Sequence, residues 1–524
     1  MKPQLLYKDT DYNLQQELPW NEQSLIQDLE LEALFNAMAL GDDFLFKVVK
    51  SVILNGISND VTTILYRREI LKDCIKNPAE IKEMYKLAIS AIEKEKENFW
   101  GIFGNYPRSI LSHSRHTLFM FADRLQELRT IADKHSGQFN SEGFKKFFYM
   151  LQTELTDEYL FTIRKYLKDS DFDKGILMTS ELGKRNKGVR LVLNKFQEKK
   201  QSWWKQKIED YLLYKAIKQK NKQSWLAKLF NVELTDFTFF ISSYDEGGIR
   251  ALSELEDQGL NLVANALAQS SDHILGFFKT LQTELAFYIA CLNLYEQLLE
   301  INEPVSFATP LDINERRLKF KGLYDICLAL TTKQKVVGND LIAPKKNLFI
   351  ITGANQGGKS TFLRSIGLAQ LLMQSGMFVP AEEFEANICD AVFTHFKREE
   401  DCGLKSGKFD EELGRMNDII NHISFNALIL FNESFAATNE RDGSEIAGQI
   451  VKALIEKHIK VFFVSHIYQF ANHFYIQHLN CALFLRAERR SDTTRTFKIV
   501  EGEPLQTSYG EDLYNKIFPE DIQV

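Results

Sequence analysis

The chain has few of the residues that punctuate or cross-link a fold. Ten Pro and 27 Gly among 524 residues leave long stretches without a helix breaker, which excludes a loop-dominated or low-complexity protein. The six Cys (Cys74, Cys291, Cys327, Cys389, Cys402 and Cys481) are scattered with no Cys-x-x-Cys pair. That argues against a zinc site or a disulfide framework and fits a reducing compartment. No apolar run approaches the roughly 20 residues that span a bilayer. The opening "MKPQLLYKDTDYNLQQELPW" lacks the basic start and apolar run of an export signal. A cytoplasmic chain without membrane contact is the expectation.

What is present is length and helical texture. A chain of 524 residues exceeds one ordinary core, so about two to four domains are expected. Apolar residues recur at helical spacing from about residue 28 to 97, as in "LIQDLELEALFNAMA", with a break near 55–59. Further amphipathic segments run from about 109 to 168, and 273–299 reads as one long helix. Pro304 and Pro310 mark a boundary. Beyond Gly322, short apolar runs at 348–352, 427–431, 461–464 and 481–485 alternate with helical patterns. Such runs belong to strands buried on both faces, the mark of a parallel sheet covered by helices. The expected fold class is multidomain, a helical region over 1–320 followed by an α/β domain over 321–524.

Charge is uneven. The formal total is −7, yet Lys184 to Phe230 holds fourteen Lys or Arg against three acids. An excess of this kind suits contacts to a phosphate backbone, and it also suits a solvated basic helical hairpin. Trp203 and Trp204 within it are expected to pack between helices.

The sharpest motif is "NLFIITGANQGGKSTFLRSIG", residues 347–367. Gly353-Ala354-Asn355-Gln356-Gly357-Gly358-Lys359-Ser360 fits G-x-x-x-x-G-K-[ST] at every fixed position, after an apolar strand and before a helical segment. Glycines let backbone N–H groups turn toward phosphate oxygens, Lys359 neutralises them, and Ser360 offers a hydroxyl to Mg²⁺. The positive end of the following helix dipole points at the same anion. A second apolar strand ends in Asn432-Glu433, where such folds deliver a metal-side acid and a carboxylate that polarises water. Glu433 suits the water. Asn432 can accept from a metal-bound water but carries no charge, so weaker Mg²⁺ affinity or slow turnover is expected. A third strand ends "FFVSH" and sets His466 at the carboxyl edge of the sheet, placed to sense a γ-phosphate.

Over roughly 336–518 these residues resemble, in order, the ATPase domain of the MutS DNA mismatch-repair family, itself related to ABC ATPases. "VVGNDL" is similar to the segment before the first ATPase strand, and "TGANQGGKSTFLRSIG" to the phosphate loop, Asn355 included. "SGKFDEEL" resembles the segment that lends a serine to the opposite subunit's nucleotide. "NESFAATNERDG" resembles the metal-side strand and its loop, "SHIYQF" the histidine switch, and "TSYGEDL" the entry to the closing helix. The resemblance implies a P-loop, ABC-type ATPase using ATP and Mg²⁺. Gly353, Asn355, Gly357, Gly358, Lys359, Ser360 and Thr361 would hold the nucleotide, Ser360, Asn432 (through water) and Glu433 the metal. Glu433, His466 and Lys359 would be catalytic, and Ser406 would act in trans across a homodimer. In the N-terminal half only the architecture matches: a helical core with lever helices, "VTTILYRREILKD" resembling a core segment, and a clamp-like insertion over about 180–232. Lys199, Lys200, Lys205 and Lys207 are the expected contacts to double-stranded DNA that is mismatched, branched or bent.

The departures are as specific. Asn432 replaces aspartate, and "FAAT" stands where the family has Gly-Arg-Gly-Thr. No N-terminal mismatch-reading domain with its Phe-x-Glu wedge is found, and little room follows the ATPase core for the family's C-terminal dimerisation element. The expectation is therefore a short form that recognises DNA by backbone shape. The alternative is a nucleotide-gated dimeric scaffold with little hydrolysis and no direct DNA recognition.

Overall fold

The computed structural model describes residues 1–99, 107–169, 176–182, 188–194, 236–241, 246–354, 356–398, 407–489 and 495–504. Lys199, Lys200, Lys205, Lys207, Asn355, Ser406 and the "TSYGEDL" segment lie outside them. The chain divides into two compact units. One comprises Met1, Lys86–Lys134 and Tyr149–Lys279, the other Lys2–Tyr85, His135–Phe148 and Thr280–Val524.

In the first unit, helices pack through buried Phe121, Leu125, Leu128, Leu160 and Phe278, with the Phe121 and Phe278 rings 5.6 Å apart. Arg129 ties the Asp157–Asp169 helix down, donating to the Leu155 carbonyl at 2.8 Å and pairing with Asp157 at 2.7 Å. This unit also holds a three-stranded antiparallel sheet, Ile176–Leu182 between Gly188–Asn194 and Asp236–Ile241. No strand was expected before residue 320, and one of these lies inside the basic stretch. Its sequence, GVRLVLN, is mostly apolar over only seven positions, too short for a period to stand out among neighbouring helices.

In the second unit the helices Glu22–Asp28, Leu31–Ala39, Asp43–Asn55 and Val61–Lys76 come first. Asp42 and Asp60 cap the latter two, each side chain accepting from main-chain N–H groups of the first turn. The unit's main sheet has six strands in the order Val392–Phe396, Leu428–Asn432, Lys460–Val464, Leu348–Thr352, Ala482–Arg489, Arg495–Glu501. All neighbours are parallel except the last pair. The apolar runs expected as strands form its centre. Every residue of Leu348–Thr352 and Val392–Phe396 is buried, so both faces are covered. The loosely patterned stretch after Pro304 joins a smaller sheet, ordered Thr309–Leu311, Glu383–Asn387, Arg317–Leu323, Asn339–Pro344. Strands of three to seven residues are too brief for a period to show in sequence.

One helix, Lys359–Gln374, links the sheet edge to the helices of the same unit. Its far end is fastened by side chains. Gln374 Nε2 donates to the Ile57 and Cys389 carbonyls at 2.5 and 2.9 Å, and Asn59 Nδ2 donates to the Gln374 carbonyl at 2.9 Å. Just beyond, Gly376 adopts φ +79°, and a Cβ there would stand 2.4 Å from Cβ of the fully buried Arg67. Only glycine fits that contact. Among the described residues no helix is long and apolar enough to cross a membrane.

Candidate functional site

Three neighbouring strands end together at the carboxyl edge of the main sheet, and the turns that follow Thr352, Asn432 and Val464 bring the expected residues into one place. Open parallel sheets bind ligands at this edge because the turns there expose main-chain groups between strand and helix.

The first turn needs glycine. Gly353 adopts φ +112° with Ala487 packed against it, and Gly358 adopts φ +88° as the cap residue from which the Lys359–Gln374 helix starts. An L-residue is strained at either φ. Lys359 folds back over the turn it follows, donating to the Gly353 and Ala354 carbonyls at 2.9 and 2.8 Å. The side chain is only 4% exposed. Burial pushes its pKa down to about 8, against a smaller opposing pull from Glu433. A buried ammonium held by two neutral carbonyls is under-compensated, and an anion entering the turn would restore its charge balance. A triphosphate therefore fits this cradle on the chemistry of its own residues.

Ser360 Oγ donates to Asn432 Oδ1 at 3.0 Å. This bond leaves the serine lone pairs open to a cation, and the asparagine performs the accepting role of an aspartate without its charge. Among the described residues no group of three His, Cys, Asp or Glu could hold a metal alone. A divalent cation here would take part of its ligand set from phosphate oxygens, which suits Mg²⁺. Thr361 follows in the helix's first turn.

Glu433 adopts φ +54°, a conformation costing about 1–3 kcal/mol for a residue with a side chain. Its N–H donates to the Val464 carbonyl at 2.9 Å, and its carboxylate lies 2.6 Å from His466 Nε2. That hydrogen bond, with the charges of His466, Lys359 and Lys397, holds the carboxyl below its ordinary pKa against the effect of burial. Glu433 is thus an ionised acceptor at neutral pH, already in contact with the histidine expected to act beside it.

Other neighbours were not foreseen. Arg495 Nη1 donates to Gln356 Oε1 at 2.5 Å, tying the glycine-rich turn to the last strand of the sheet. Phe497, with φ +57°, brings its carbonyl within 3.4 Å of where a Cβ on Gly358 would sit, and its ring is 46% exposed. This sets an exposed aromatic residue beside the glycine-rich turn. Nothing in "TRTFKIV" separates this phenylalanine from an ordinary strand residue.

Residues 59–210 and 205–301 match the MutS2 N-terminal domain family, and residues 349–522 match MutS domain V. The sequence is 31% identical over 202 residues to the DNA mismatch repair protein MutS of Leuconostoc citreum, across 38% of this chain and 23% of that protein. It is 32% identical over 190 residues to the same-named protein of Syntrophomonas wolfei, across 36% and 22% of the two chains. With that of Lactococcus lactis it shares 29% over 279 residues, across 50% and 32%. The chain therefore spans a third or less of the length of these relatives.

Proposed function

The chain belongs to the MutS family, and on that premise we propose that it is an ATP-dependent DNA-binding protein whose ATP hydrolysis controls a helical clamp. Gly353, Asn355, Gly357, Gly358, Lys359, Ser360 and Thr361 would hold the nucleotide, and Phe497 would lie against the base. Ser360, Asn432 through water, and Glu433 would hold Mg²⁺, which would neutralise charge on the phosphates. Glu433 polarises the attacking water, Lys359 and His466 stabilise charge on the transferred phosphoryl group, and the reaction is ATP + H₂O to ADP + phosphate. Ser406 of a second copy would complete each site in a homodimer. Lys199, Lys200, Lys205 and Lys207 would grip the backbone of mismatched, branched or bent double-stranded DNA. Contacts of this kind give salt-sensitive, sequence-independent affinity.

One observation carries the reading: a buried lysine that donates to two carbonyls of the glycine-rich turn stands at the same sheet edge as the Ser360–Asn432 bond and the Glu433–His466 pair. Asn432 also favours a second reading, a nucleotide-gated scaffold that hydrolyses little, because the serine bond is kept without the charge that helps fix a metal. Binding to homoduplex, mismatched and four-way-junction DNA, with and without ATP at two salt concentrations, separates the two. Nucleotide-dependent preference for one structure supports the clamp. ATP binding with no affinity for any DNA supports the scaffold.

A further inference from the structure

Behind Glu433 lies a buried arrangement that the proposed chemistry does not itself use. Ser434 and Phe435 follow the carboxylate, and Phe435 repeats its left-handed backbone with φ +61°. Phe435 stands at the first glycine of the family's Gly-Arg-Gly-Thr, so a bulky side chain holds a conformation glycine adopts without strain. Two strained non-glycine residues in three positions persist only where the surroundings over-determine them.

Besides the core packing of Phe435, one residue touches both Ser434 and Phe435. His395, fully buried on the strand Val392–Phe396, has Nδ1 2.8 Å from Ser434 Oγ, and its main-chain carbonyl accepts from the same hydroxyl at 2.5 Å. Its ring stacks on Phe435, with centroids 5.2 Å apart and planes 18° from parallel. Its Nε2 lies 3.0 Å from the main-chain carbonyl of Glu412, on the helix Lys408–His422. Since a carbonyl can only accept, Nε2 carries the proton, and Nδ1 of the neutral ring and the His395 main-chain carbonyl share the single Ser434 hydroxyl hydrogen. Burial, reinforced by the nearby Arg415 guanidinium, lowers the ring's pKa to about 4, so the ring stays neutral through the physiological range.

We infer that His395 is a positioning residue. It clamps the strained Glu433-Ser434-Phe435 turn and fastens it to the Lys408–His422 helix, so that movement of that helix is felt at the carboxylate. The inference rests on the hydrolytic role of Glu433. The helix begins one residue after Gly407, next to the segment whose Ser406 is proposed to reach the partner's nucleotide.

The test compares full-length wild type with His395→Phe, which keeps a ring to stack on Phe435 but loses both ring hydrogen bonds, with Ser434→Ala, and with the double variant. Each single change is expected to lower kcat for ATP hydrolysis about 10- to 100-fold with KM for ATP within twofold. The double variant should be no worse than the poorer single one, since each change interrupts the connection that runs from Ser434 through the imidazole to the Glu412 carbonyl. An unchanged kcat, or equal effects on kcat and KM that follow thermal stability, would overturn the inference. Hydrogen exchange of the amides at 432–436 gives a readout independent of turnover, with at least tenfold faster exchange expected in both single variants. If wild type binds ATP but does not hydrolyse it, the hydrolytic role fails by itself. The clamp then stands or falls on that exchange, and unchanged protection would refute it.

Discussion

The turn after Thr352 and the turn after Asn432 both require left-handed backbone at one sheet edge, but they fill it differently. The first uses Gly353 and Gly358 at its ends, at φ +112° and +88°, with Gln356 at +60° between them; the second uses only residues with side chains, Glu433 and Phe435, at +54° and +61°. Glycine keeps both ends of the first turn free of a Cβ, so main-chain groups there can approach an anion closely. The second turn must present a carboxylate and cannot be glycine. Its strain is offset by the Phe435 ring, which is fully buried among Phe431, Ile467 and other core residues. One turn is built to admit a ligand, the other to hold a charged group still.

The comparison is sharpest in what each turn should cost when broken. Glu433→Gln should lower turnover about 100- to 1000-fold with ATP affinity kept, as loss of a positioned base does. Single-turnover hydrolysis measures this, and turnover near wild type would remove Glu433 from the chemistry. Lys359→Ala should weaken ATP binding about 100-fold or more, because a charge-assisted contact to phosphate is lost. Calorimetry reads it, and retained affinity would sink the phosphate-holding role of the first turn.

Next comes stability. Phe435→Gly removes a fully buried ring, at about 3–5 kcal/mol for a large-to-small change, and relieves about 1–2 kcal/mol of backbone strain. A net loss should show as a lowered Tm, whereas a raised Tm would mean the strain outweighs the packing. Gly358→Ala should cost stability only about 1 kcal/mol while weakening nucleotide binding.

The smallest effect is one of pH. Lys359 in the nucleotide-free protein titrates at about 8, below its ordinary 10.5. The charged form is therefore disfavoured in the fold below pH 8, a penalty relieved as pH rises toward the unfolded value. Bound phosphates favour the charged form, so binding takes up a proton above pH 8. ATP affinity should be level below that pH and fall toward about tenfold per unit above it. A level profile up to pH 9.5 would contradict the burial of this ammonium.

How much of this was legible in the sequence varies with how local the cause is. The strand, turn and helix around Gly353–Ser360 could be read because chemistry and backbone geometry sit within fourteen residues. Asn432, Glu433 and His466 could be read as strand ends following in order, though not that Glu433 and His466 would touch. His395 could not be read at all. Its partners Ser434 and Glu412 are 39 and 17 residues away, and a histidine inside an apolar strand reads as packing until strand pairing brings it beside the turn. Phe497 escaped for the same reason, since its place beside Gly358 is set by an antiparallel strand at the far edge of the sheet.

The Lys359–Gln374 helix gives the site a mechanical property beyond its chemistry. Its sixteen residues make a strut about 24 Å long, with the Lys359 ammonium at one tip and the Gln374 hydrogen bonds to the 57–59 segment at the other. A buried strut pinned at its base cannot tilt alone. A displacement where the nucleotide binds must either strain those bonds or carry the Asp43–Asn55 and Val61–Lys76 helices along with it.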